Sequence, residues 1–523
     1  MKKLRTSLYT IFVDLKDNHD YCLIVHGYTG AIDKISGRLA SKLKRGLSSD
    51  EIENGIEENL LDRLINRGYV TDKTPLEEKE VVKKMAQAFH KRDKLRKNFM
   101  FLVAYDCNFR CPYCFENAVS NNGKGWSKKV FTKNAVDKAF EAMTEFEPNR
   151  QLHSNTIILY GGEPLLEQNH EIVKYIVEKG VKEGYNFRAI TNGYDLDCFE
   201  NLLHPNKIGA LQITLDGVKE KHNNRRTHYE HGDSFDKIIK NIAMALNRDV
   251  NVSVRINTEL NNFDDLIKIK DLFTELNFFE NKKLSVYSAL IHGDSDLNCN
   301  TVMTSCSPSI NSQFDSSVYD YEMDPFKQYI DFEKEELKHI NTTEKVLFHD
   351  DIENENDNMR TMNRGLYIRK YFDAIKNDET MKSISCQDFG IRQKITKALK
   401  TKGLIDFRSV FCSAQTGELI FDPYGDLYTC WETVGIDQYK VGTYRNGINF
   451  NEEELENWYG RNISTTPACS KCKYAFFCGG GCQAHALQEG RGFNSPYCDG
   501  YPKMFHEVVS DCFTKFEETT LNH

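Results

Sequence analysis

Three cysteines lie within eight residues of one another, at Cys107, Cys111 and Cys114. The spacing C-x3-C-x2-C puts their thiol groups on one short loop. Iron–sulfur clusters of the 4Fe–4S type are held by cysteine thiolates, normally four per cluster. Three thiolates therefore leave one iron free to bind a small molecule. The alternatives are three unpaired thiols or a zinc site, although zinc ribbons usually carry pairs of C-x2-C.

A second group of cysteines is found near the C-terminal end. Its seven members are Cys412, Cys430, Cys469, Cys472, Cys478, Cys482 and Cys498. A segment this rich in cysteine is typical of metal sites, and two zinc sites would use the same residues. The other cysteines are predicted to be structural, and they are Cys22, Cys198, Cys299, Cys306, Cys386 and Cys512.

Polar motifs follow several predicted strands. In the first, Tyr160-Gly-Gly-Glu-Pro164, two glycines allow a ligand to approach the backbone and Glu163 could accept hydrogen bonds from an ammonium group. The later motifs contribute Asn192, Thr214, Asp216, Arg226 and Asn257. Because the carboxyl ends of parallel strands meet at one edge, we expect these side chains to share a cavity with the cysteine loop. Arg226, or its neighbour Arg225, could bind a carboxylate in bidentate fashion.

The elements that must position these residues alternate along the chain between residues 98 and 295. Predicted strands are Asn98–Tyr105, Thr156–Tyr160, Asn186–Thr191, Ala210–Leu215, Val250–Asn257 and Lys283–Leu290. Predicted helices between them are Lys133–Phe146, Gln168–Glu183, Ser234–Leu246 and Asn262–Leu276. Buried strands that alternate with amphipathic helices form parallel sheets with right-handed crossovers. The pattern therefore predicts an α/β fold, a partial (β/α)6 barrel of the TIM type that is open on one side.

The length of 523 residues predicts several domains. Residues 1–95 show strands followed by helices, typical of a small winged-helix module, and end in a charged stretch, Leu76–Lys97, predicted to be a solvated connecting helix. Residues 96–295 form the barrel, and 296–400 are a polar bridge or insertion. Residues 401–523 are predicted to be loop-rich and to depend on metal for their core.

Composition excludes some classes of function. A formal net charge of −9 argues against a general nucleic-acid-binding protein. We recognise neither a signal peptide nor an apolar run of membrane-spanning length, so no membrane partner is expected. Sixteen cysteines without a signal peptide favour metal ligands over disulfides and a cytoplasmic location.

The cysteine triplet together with Gly161-Gly-Glu-Pro164 resembles the radical S-adenosylmethionine (SAM) superfamily. The seven-cysteine tail is similar to the SPASM domain, which holds two auxiliary 4Fe–4S clusters. Residues 1–95 resemble the leader-recognition module of enzymes that mature ribosomally made peptides (RiPPs). The resemblance implies a radical SAM oxidoreductase with three 4Fe–4S clusters and SAM as cofactors.

The resemblance also implies a role for each matching residue. Cys107, Cys111 and Cys114 would hold the cluster that reductively cleaves SAM to a 5′-deoxyadenosyl radical. SAM would be contacted by Tyr113, Gly161, Gly162, Glu163, Asn192, Thr214, Asp216, Arg226 and Asn257. The first auxiliary cluster would be held by Cys412, Cys430 and Cys482, and the second by Cys469, Cys472, Cys478 and Cys498. No residue that acts directly on the substrate is identified.

Two departures from the family pattern bear on the substrate. Anaerobic sulfatase maturases carry a further cysteine six positions after the first tail cysteine, where this chain has Glu418. The first auxiliary cluster would then have an open iron to which a substrate thiolate can bind, unless Cys386 or Cys512 replaces the missing ligand. Those maturases also place an aspartate proton acceptor where this chain has Trp431, followed by Glu432.

The resemblance therefore favours a peptide maturase that abstracts a hydrogen from a precursor peptide and forms a cross-link, a cysteine thioether. The expected partners are a precursor peptide with its leader and a reductant such as flavodoxin or ferredoxin. Carbon–carbon cross-linking and epimerisation are the nearest alternatives. Formation of formylglycine in a sulfatase comes next, and a non-catalytic, metal-stabilised binding protein comes last.

Overall fold

The computed structural model describes residues 4–15, 20–47, 56–114, 116, 124–259, 262–291, 364–401 and 405–521. Cys299, Cys306 and most of the predicted bridge lie outside these residues. The N-terminal segment contains a two-stranded pair and a three-stranded antiparallel sheet in the order β2-β3-β4. The strands are β1 (Arg5–Thr6), β2 (Thr10–Asp14), β3 (Tyr21–His26), β4 (Ile32–Ser36) and β5 (Val70–Thr71). Two helices accompany them, α1 (Gly37–Arg45) and α2 (Glu58–Asn66).

The three-stranded sheet is buried on both faces. Alternate residues of a strand point to opposite faces. One face, with Ile24 and Ile35, packs on Leu43 of α1 and Leu64 of α2. The other face carries Ile11, Val13, Leu23 and Val25, which belong to the main core of the molecule. The N-terminal segment is therefore packed against the rest of the chain.

Helix α3 (Pro75–Asp93) connects this segment to the barrel, and it begins with a capping box between Thr74 and Glu77. The prediction of a solvated helix is wrong. Its Val82, Met85, Ala86 and Phe89 are buried, because they recur at helical spacing on one face. The Phe89 ring packs edge-on against Phe476 with 5.6 Å between centroids, so this face lies against the C-terminal segment.

The centre of the molecule is a sheet in which six neighbouring strands run parallel, in the order in which they occur along the chain. They are β6 (Lys97–Leu102), β7 (His153–Tyr160), β8 (Asn186–Thr191), β9 (Ile208–Leu215), β10 (Asn251–Thr258) and β11 (Leu284–Leu290). Helices within this region are α4 (Lys124–Ser127), α5 (Lys133–Phe146), α6 (His170–Lys182), α7 (Lys219–Arg225), α8 (Phe235–Asn247) and α9 (Asp265–Glu275). The predicted partial barrel is confirmed.

The two faces of the barrel strands differ in character. Residues such as Phe101, Leu159 and Ile213 point to the surrounding helices and are fully buried. The alternate residues point to the inside, where Arg188 and Gln212 are only half-buried and joined by a 2.7 Å hydrogen bond. The interior of the barrel is therefore a partly polar cavity.

The sheet continues beyond the barrel on both sides. At one edge β12 (Ile384–Cys386) pairs parallel to β11. At the other edge β13 (Glu418–Phe421) pairs parallel to β6 and is followed by antiparallel strands. These strands are β14 (Asp426–Tyr428), β15 (Gly442–Thr443) and β16 (Asn449–Phe450). The C-terminal segment is thus joined to the first barrel strand by backbone hydrogen bonds.

Helices complete the part of the chain from residue 364 onward. They are α10 (Arg364–Asn377), α11 (Ile391–Thr401), α12 (Glu452–Tyr459), α13 (Ala475–Cys478), α14 (Gln483–Gln488) and α15 (Tyr501–Leu521). Neither α10 and α11 nor the 21-residue α15 was predicted. The described part of the predicted bridge, 364–400, is largely helical and also contains β12. Helix α15 packs on α10, α11 and β2.

Candidate active site

The first cysteine loop follows β6 and lies at the carboxyl end of the barrel. Burial and then the charges of Glu163, Cys111 and Cys114 raise the pKa of Cys107, so the three sulfurs lie close together. The backbone N–H of Phe109 donates to the Cys107 sulfur over 3.4 Å, and the side-chain amide of Asn192 approaches it at 3.9 Å. The structure brings together the three predicted ligands and one of the predicted SAM-contacting residues.

The donors on this loop and in the tail are cysteine sulfur atoms, a set that fits 4Fe–4S clusters. N–H groups two residues further on donate to the sulfurs of Cys107, Cys114, Cys412, Cys430, Cys472 and Cys478, as is common around such clusters.

Gly161 and Gly162 are required by the cysteine loop itself. A Cβ atom at Gly161 would lie 2.3 Å from the carbonyl oxygen of Ala104, and one at Gly162 would lie 2.4 Å from that of Asp106. Gly161 also has a φ of 144°, which side chains disfavour. These glycines therefore let the end of β7 pack directly on the loop that carries the cysteines.

Glu163 is buried, and its carboxylate is used within the protein. One oxygen accepts hydrogen bonds from the N–H of Leu165 and the hydroxyl of Thr191, and the other from the N–H of Asn192. Burial raises its pKa to about 7. The carboxylate thus accepts three hydrogen bonds from the protein and keeps room for a further donor, so its contact with an ammonium group stays a prediction.

Asp216 is the centre of a second buried network. Its carboxylate accepts hydrogen bonds from Arg225 over 3.1 Å and Asn257 over 3.1 Å, and Arg226 lies at 3.8 Å. Arg226 and Asn257 both donate to the Tyr113 hydroxyl, over 2.9 and 3.2 Å. The network fixes the Tyr113 side chain beside the cysteine loop. Asp216 orients the side chains of Arg225, Arg226 and Asn257, and its own carboxylate does not face the cavity.

Thr214 lies at the mouth of the barrel interior. Its register partner on β10 is Arg255, which is also half-buried and donates to Asn257 over 2.9 Å. Arg255 was not predicted, because an arginine within a strand gives no sign of which face it occupies. Thr214, Arg255 and Asn192 therefore place polar groups around the opening beside the cysteine loop.

The tail cysteines fall into two groups. Burial and then the charges of Cys482 and Cys412 raise the pKa of Cys430, so these three lie together. Cys412 is exposed to solvent. Burial and the charges of its three neighbours likewise raise the pKa of Cys469. The second group is Cys469, Cys472, Cys478 and Cys498.

No further cysteine among the described residues joins the first group. Cys386 and Cys512 lie elsewhere, on β12 and α15, and share Arg392 as a charged neighbour. Glu418 is close to Cys412, and its carboxylate accepts a hydrogen bond of 2.5 Å from Ser413. Its other oxygen is buried without a hydrogen-bond partner among the described residues, and burial raises its pKa to about 7.

Tyr160 connects the first cysteine loop to the tail. Burial and then the charges of Glu116, Glu432, Cys114 and Cys430 raise its pKa, so both cysteine groups border the same region. Burial also raises the pKa of Glu116 to about 8. Sequence reasoning missed Glu116, because a glutamate two residues after a cysteine carries no recognisable signal.

Trp431 borders the same region from the tail side. It is 41% exposed, and its ring lies 6.3 Å from that of Tyr160. The side chain is therefore available to contact a substrate that reaches both cysteine groups.

A partial barrel with a three-cysteine loop at the carboxyl end of its first strand defines a class of enzymes that generate radicals from SAM. Residues 101–273 match the family model of the radical SAM superfamily. This part of the chain is a radical SAM domain, and the protein is a radical SAM enzyme. Such a domain implies a 4Fe–4S cluster and SAM as cofactors.

Curated relatives include enzymes that mature sulfatases. A cysteine-type anaerobic sulfatase-maturating enzyme of Clostridium novyi is 22% identical over 420 residues, which cover 77% of this chain and 93% of that protein. Its counterpart from Clostridium perfringens is 29% identical over 138 residues, covering 25% of this chain and 36% of that protein.

Among solved structures, native anSMEcpe with bound AdoMet and Cp18Cys peptide aligns with a TM-score of 0.50 at 17% identity, covering 82% of this chain and 99% of that one. This likeness supports the fold. Streptococcus suis SuiB bound to its precursor peptide SuiA aligns over 95% of this chain and 99% of that one, at 12% identity and a TM-score of 0.45. None of the helices in the described residues is both long and apolar enough to cross a membrane.

Proposed function

We propose that this enzyme modifies a ribosomally made precursor peptide by abstracting a hydrogen atom from a carbon and closing a thioether with a cysteine sulfur. The observation that carries the proposal is the position of Tyr160. Its carbonyl accepts a hydrogen bond of 2.8 Å from Val103, which leads into the SAM-type cysteine loop, and its ring lies 6.3 Å from that of Trp431, which follows Cys430 in the tail. A substrate in this region can reach both groups at once.

The bound cluster and SAM supply a 5′-deoxyadenosyl radical. The chain's own residues hold and orient these groups: Arg226 and Asn257 fix Tyr113, and the glycines bring β7 against the cysteine loop. The overall change removes two hydrogens from the peptide, one from carbon as a hydrogen atom and one from sulfur as a proton. The remaining electron would pass from the substrate to the auxiliary clusters proposed for the tail, and a reductant of flavodoxin or ferredoxin type would supply the electron that cleaves SAM.

The tail is proposed to hold two auxiliary 4Fe–4S clusters. Its cysteines form a group of three, with Cys412, and a group of four, with Cys469. The group of three leaves one ligand position without a cysteine, which suits a substrate thiolate. A fully reconstituted protein is expected to contain about twelve iron and twelve sulfide ions, four of each per cluster. Zinc in place of iron in the tail would refute this assignment.

The N-terminal segment is proposed to bind the leader of the peptide as an extra strand on β4, a known mode of peptide recognition. Among the described strands, β4 is paired only with β3. The backbone N–H of His26 donates to the carbonyl of Ala31, so these two residues form a hydrogen-bonded pair. Hydrogen-bonded and non-hydrogen-bonded pairs alternate along antiparallel strands, and by this alternation Lys34 belongs to a non-hydrogen-bonded pair. Its backbone N–H therefore points away from β3.

This docking mode can be tested at Lys34. Both Lys34→Pro and Lys34→Ala remove the lysine side chain. The proline variant also removes the outward backbone N–H, whereas the alanine variant keeps this N–H. We expect leader affinity, measured by fluorescence anisotropy, to fall in the proline variant alone. Equal affinity of both variants would place the leader elsewhere.

The proposed reaction is tested with anaerobically reconstituted enzyme, SAM, dithionite and a cysteine-containing precursor peptide, to be sought among short open reading frames beside the gene. We expect the peptide to lose two hydrogens and one alkylatable thiol, with 5′-deoxyadenosine formed in parallel. A Cys107→Ala, Cys111→Ala, Cys114→Ala variant is the control and should leave the peptide unchanged. A modified peptide that keeps all of its free thiols would instead indicate carbon–carbon cross-linking or epimerisation.

Sulfatase maturation is the second candidate, because the Clostridium novyi relative is matched over 93% of its length. Under this proposal a cysteine or serine of a sulfatase peptide would become formylglycine. Trp431 in place of an aspartate argues against it. Incubation with a sulfatase peptide, followed by aldehyde detection with a hydrazide probe, decides between the two.

A further inference from the structure

Arg461 is a fully buried cation, only 1% exposed, just after α12. Its guanidinium donates to three backbone carbonyl groups, those of Gly481 over 3.3 Å, Gly480 over 3.1 Å and Ser495 over 2.9 Å. These carbonyls belong to the loops that surround the tail cysteines, and they fix the position of the charged group.

No carboxylate on the described part of the chain neutralises the charge of Arg461. None of the ion pairs among those residues includes Arg461, and its Nε is buried without a hydrogen-bond partner there. A buried charge is costly unless it is paired or bound to a group of opposite sign. Among the described residues, the balancing charge is therefore not supplied by an ion pair with Asp or Glu.

The nearest groups that can carry negative charge are the tail thiols. A Cβ atom placed on Gly480 would lie 3.6 Å from the Cys469 sulfur and 3.7 Å from both terminal nitrogens of Arg461, so the two side chains flank this glycine. The charges that act on Arg461 are those of Cys469, Cys412, Cys482 and Cys478. Two of these belong to the group of three and two to the group of four. Arg461 therefore lies between the two groups.

We propose that Arg461 is a positioning residue that serves both auxiliary clusters, a fixed positive charge that compensates their thiolates and raises their reduction potentials. This rests on the proposed function, in which the two cysteine groups hold 4Fe–4S clusters. A cation near a cluster stabilises the reduced form, which carries one more negative charge. Because the site is buried, solvent screens this interaction little. Removing the charge should therefore make both clusters harder to reduce.

Arg408 provides a matched comparison. Its charge also acts on Cys478, but the side chain is only half-buried and donates to the Phe389 carbonyl. Solvent can screen a half-buried charge, so its removal should change the potentials less than removal of Arg461.

The test is a redox titration followed by EPR spectroscopy. It uses full-length protein with Cys107, Cys111 and Cys114 replaced by alanine, so that only the auxiliary clusters contribute, and iron and zinc are counted in every sample. In this background, Arg461→Met, Arg461→Lys and Arg408→Met are compared. We expect Arg461→Met to change the ratio of oxidised to reduced cluster at least about tenfold, a shift of ~59 mV to lower potential for one electron. Arg461→Lys should stay near the parent, and Arg408→Met should shift less.

A second result would also support the proposal: iron retained in Arg461→Lys and lost from Arg461→Met shows that assembly needs the charge. Unchanged potentials in Arg461→Met with iron retained would overturn it, as would equal loss of iron from both Arg461 variants or a larger shift in Arg408→Met. A parent protein that holds zinc or no iron in the tail refutes the proposed clusters themselves. The metal count separates that failure from failure of the role of Arg461.

Discussion

At the scale of single residues, Glu418 bears most directly on the proposed chemistry. It stands where anaerobic sulfatase maturases, by the resemblance, have a further cysteine. The side chain is buried close to Cys412, held by Ser413 through one oxygen only. Cys386 and Cys512 lie on β12 and α15, where both have Arg392 as a charged neighbour. Among the described cysteines, the group therefore has three members.

Replacing Glu418 with cysteine should complete this group and block access of a substrate thiolate. We expect Glu418→Cys to lower thioether formation at least about tenfold, equivalent to ~1.4 kcal/mol in activation free energy, while SAM cleavage continues. Glu418→Gln supplies no thiolate and should keep the thioether activity. Mass spectrometry of the peptide and quantification of 5′-deoxyadenosine measure the two outcomes. Normal cross-linking by Glu418→Cys would show that an open position is not used.

At the scale of elements, α3 shows how packing decides the environment of a charged helix. Its sequence is rich in Lys and Glu, yet one face is buried against the C-terminal segment. Phe89 packs on Phe476, and His90 is hydrogen-bonded to the Gln415 carbonyl at 3.0 Å. The helix therefore braces the N-terminal segment against the segment that carries the tail cysteines.

Removal of the Phe89 ring from this contact should lower the stability of the region. A Phe89→Ala change removes a buried aromatic ring and is expected to destabilise the region by ~3–5 kcal/mol. Leu76→Ala on the same helix is the matched control, because Leu76 is 51% exposed and should be nearly neutral. Hydrogen exchange of α3 and of the loop around Cys472 measures the effect. Unchanged protection in Phe89→Ala would contradict the bracing role.

Protonation of His26 at low pH should lower the stability of the N-terminal sheet. Burial lowers its pKa to about 3, and one ring nitrogen is hydrogen-bonded to Ser7. The folded state therefore favours the neutral ring, while the unfolded chain binds a proton below about pH 6.5. The contribution of the neutral His26 ring to the free energy of unfolding is therefore fully present above about pH 6.5. It falls by ~1.4 kcal/mol per pH unit between pH 6.5 and pH 3.

We therefore expect the wild type to lose about 2 kcal/mol more stability than a His26→Gln variant between pH 7 and pH 5. The free energy of opening of β3, from exchange rates corrected for intrinsic pH effects, is the measurement. The variant keeps the other histidines, so the difference isolates His26. Parallel pH profiles of the two proteins would exclude this residue as the source.

The barrel was predictable from sequence because its signal is local. Buried strands alternate with amphipathic helices, and the polar residues come at strand ends, so Asn192, Thr214 and Asn257 could be chosen. The partners of these side chains were not predictable. That Glu163 would be used by Thr191 and Asn192, or that Asp216 would gather Arg225 and Asn257, depends on contacts between distant parts of the chain. Helix α15 was missed because the abundance of nearby cysteines favoured a loop-rich interpretation.

At the scale of the whole molecule, one sheet joins the catalytic barrel to the tail. Strand β13 pairs with β6, so the tail is attached beside the strand that leads into the first cysteine loop. Helix α15 packs on α10, α11 and β2, and thereby connects the tail, the segment before it and the N-terminal sheet. This arrangement holds both cysteine groups and the proposed leader-binding edge in one framework.

In the proposed reaction the 5′-deoxyadenosyl radical takes its hydrogen from a carbon of the peptide. One turnover with unlabelled SAM and a precursor peptide that carries deuterium at its non-exchangeable carbon positions tests this directly. We expect deuterium in the 5′-deoxyadenosine formed, in amounts that match the modified peptide. A peptide that is modified while the 5′-deoxyadenosine contains no deuterium would contradict it.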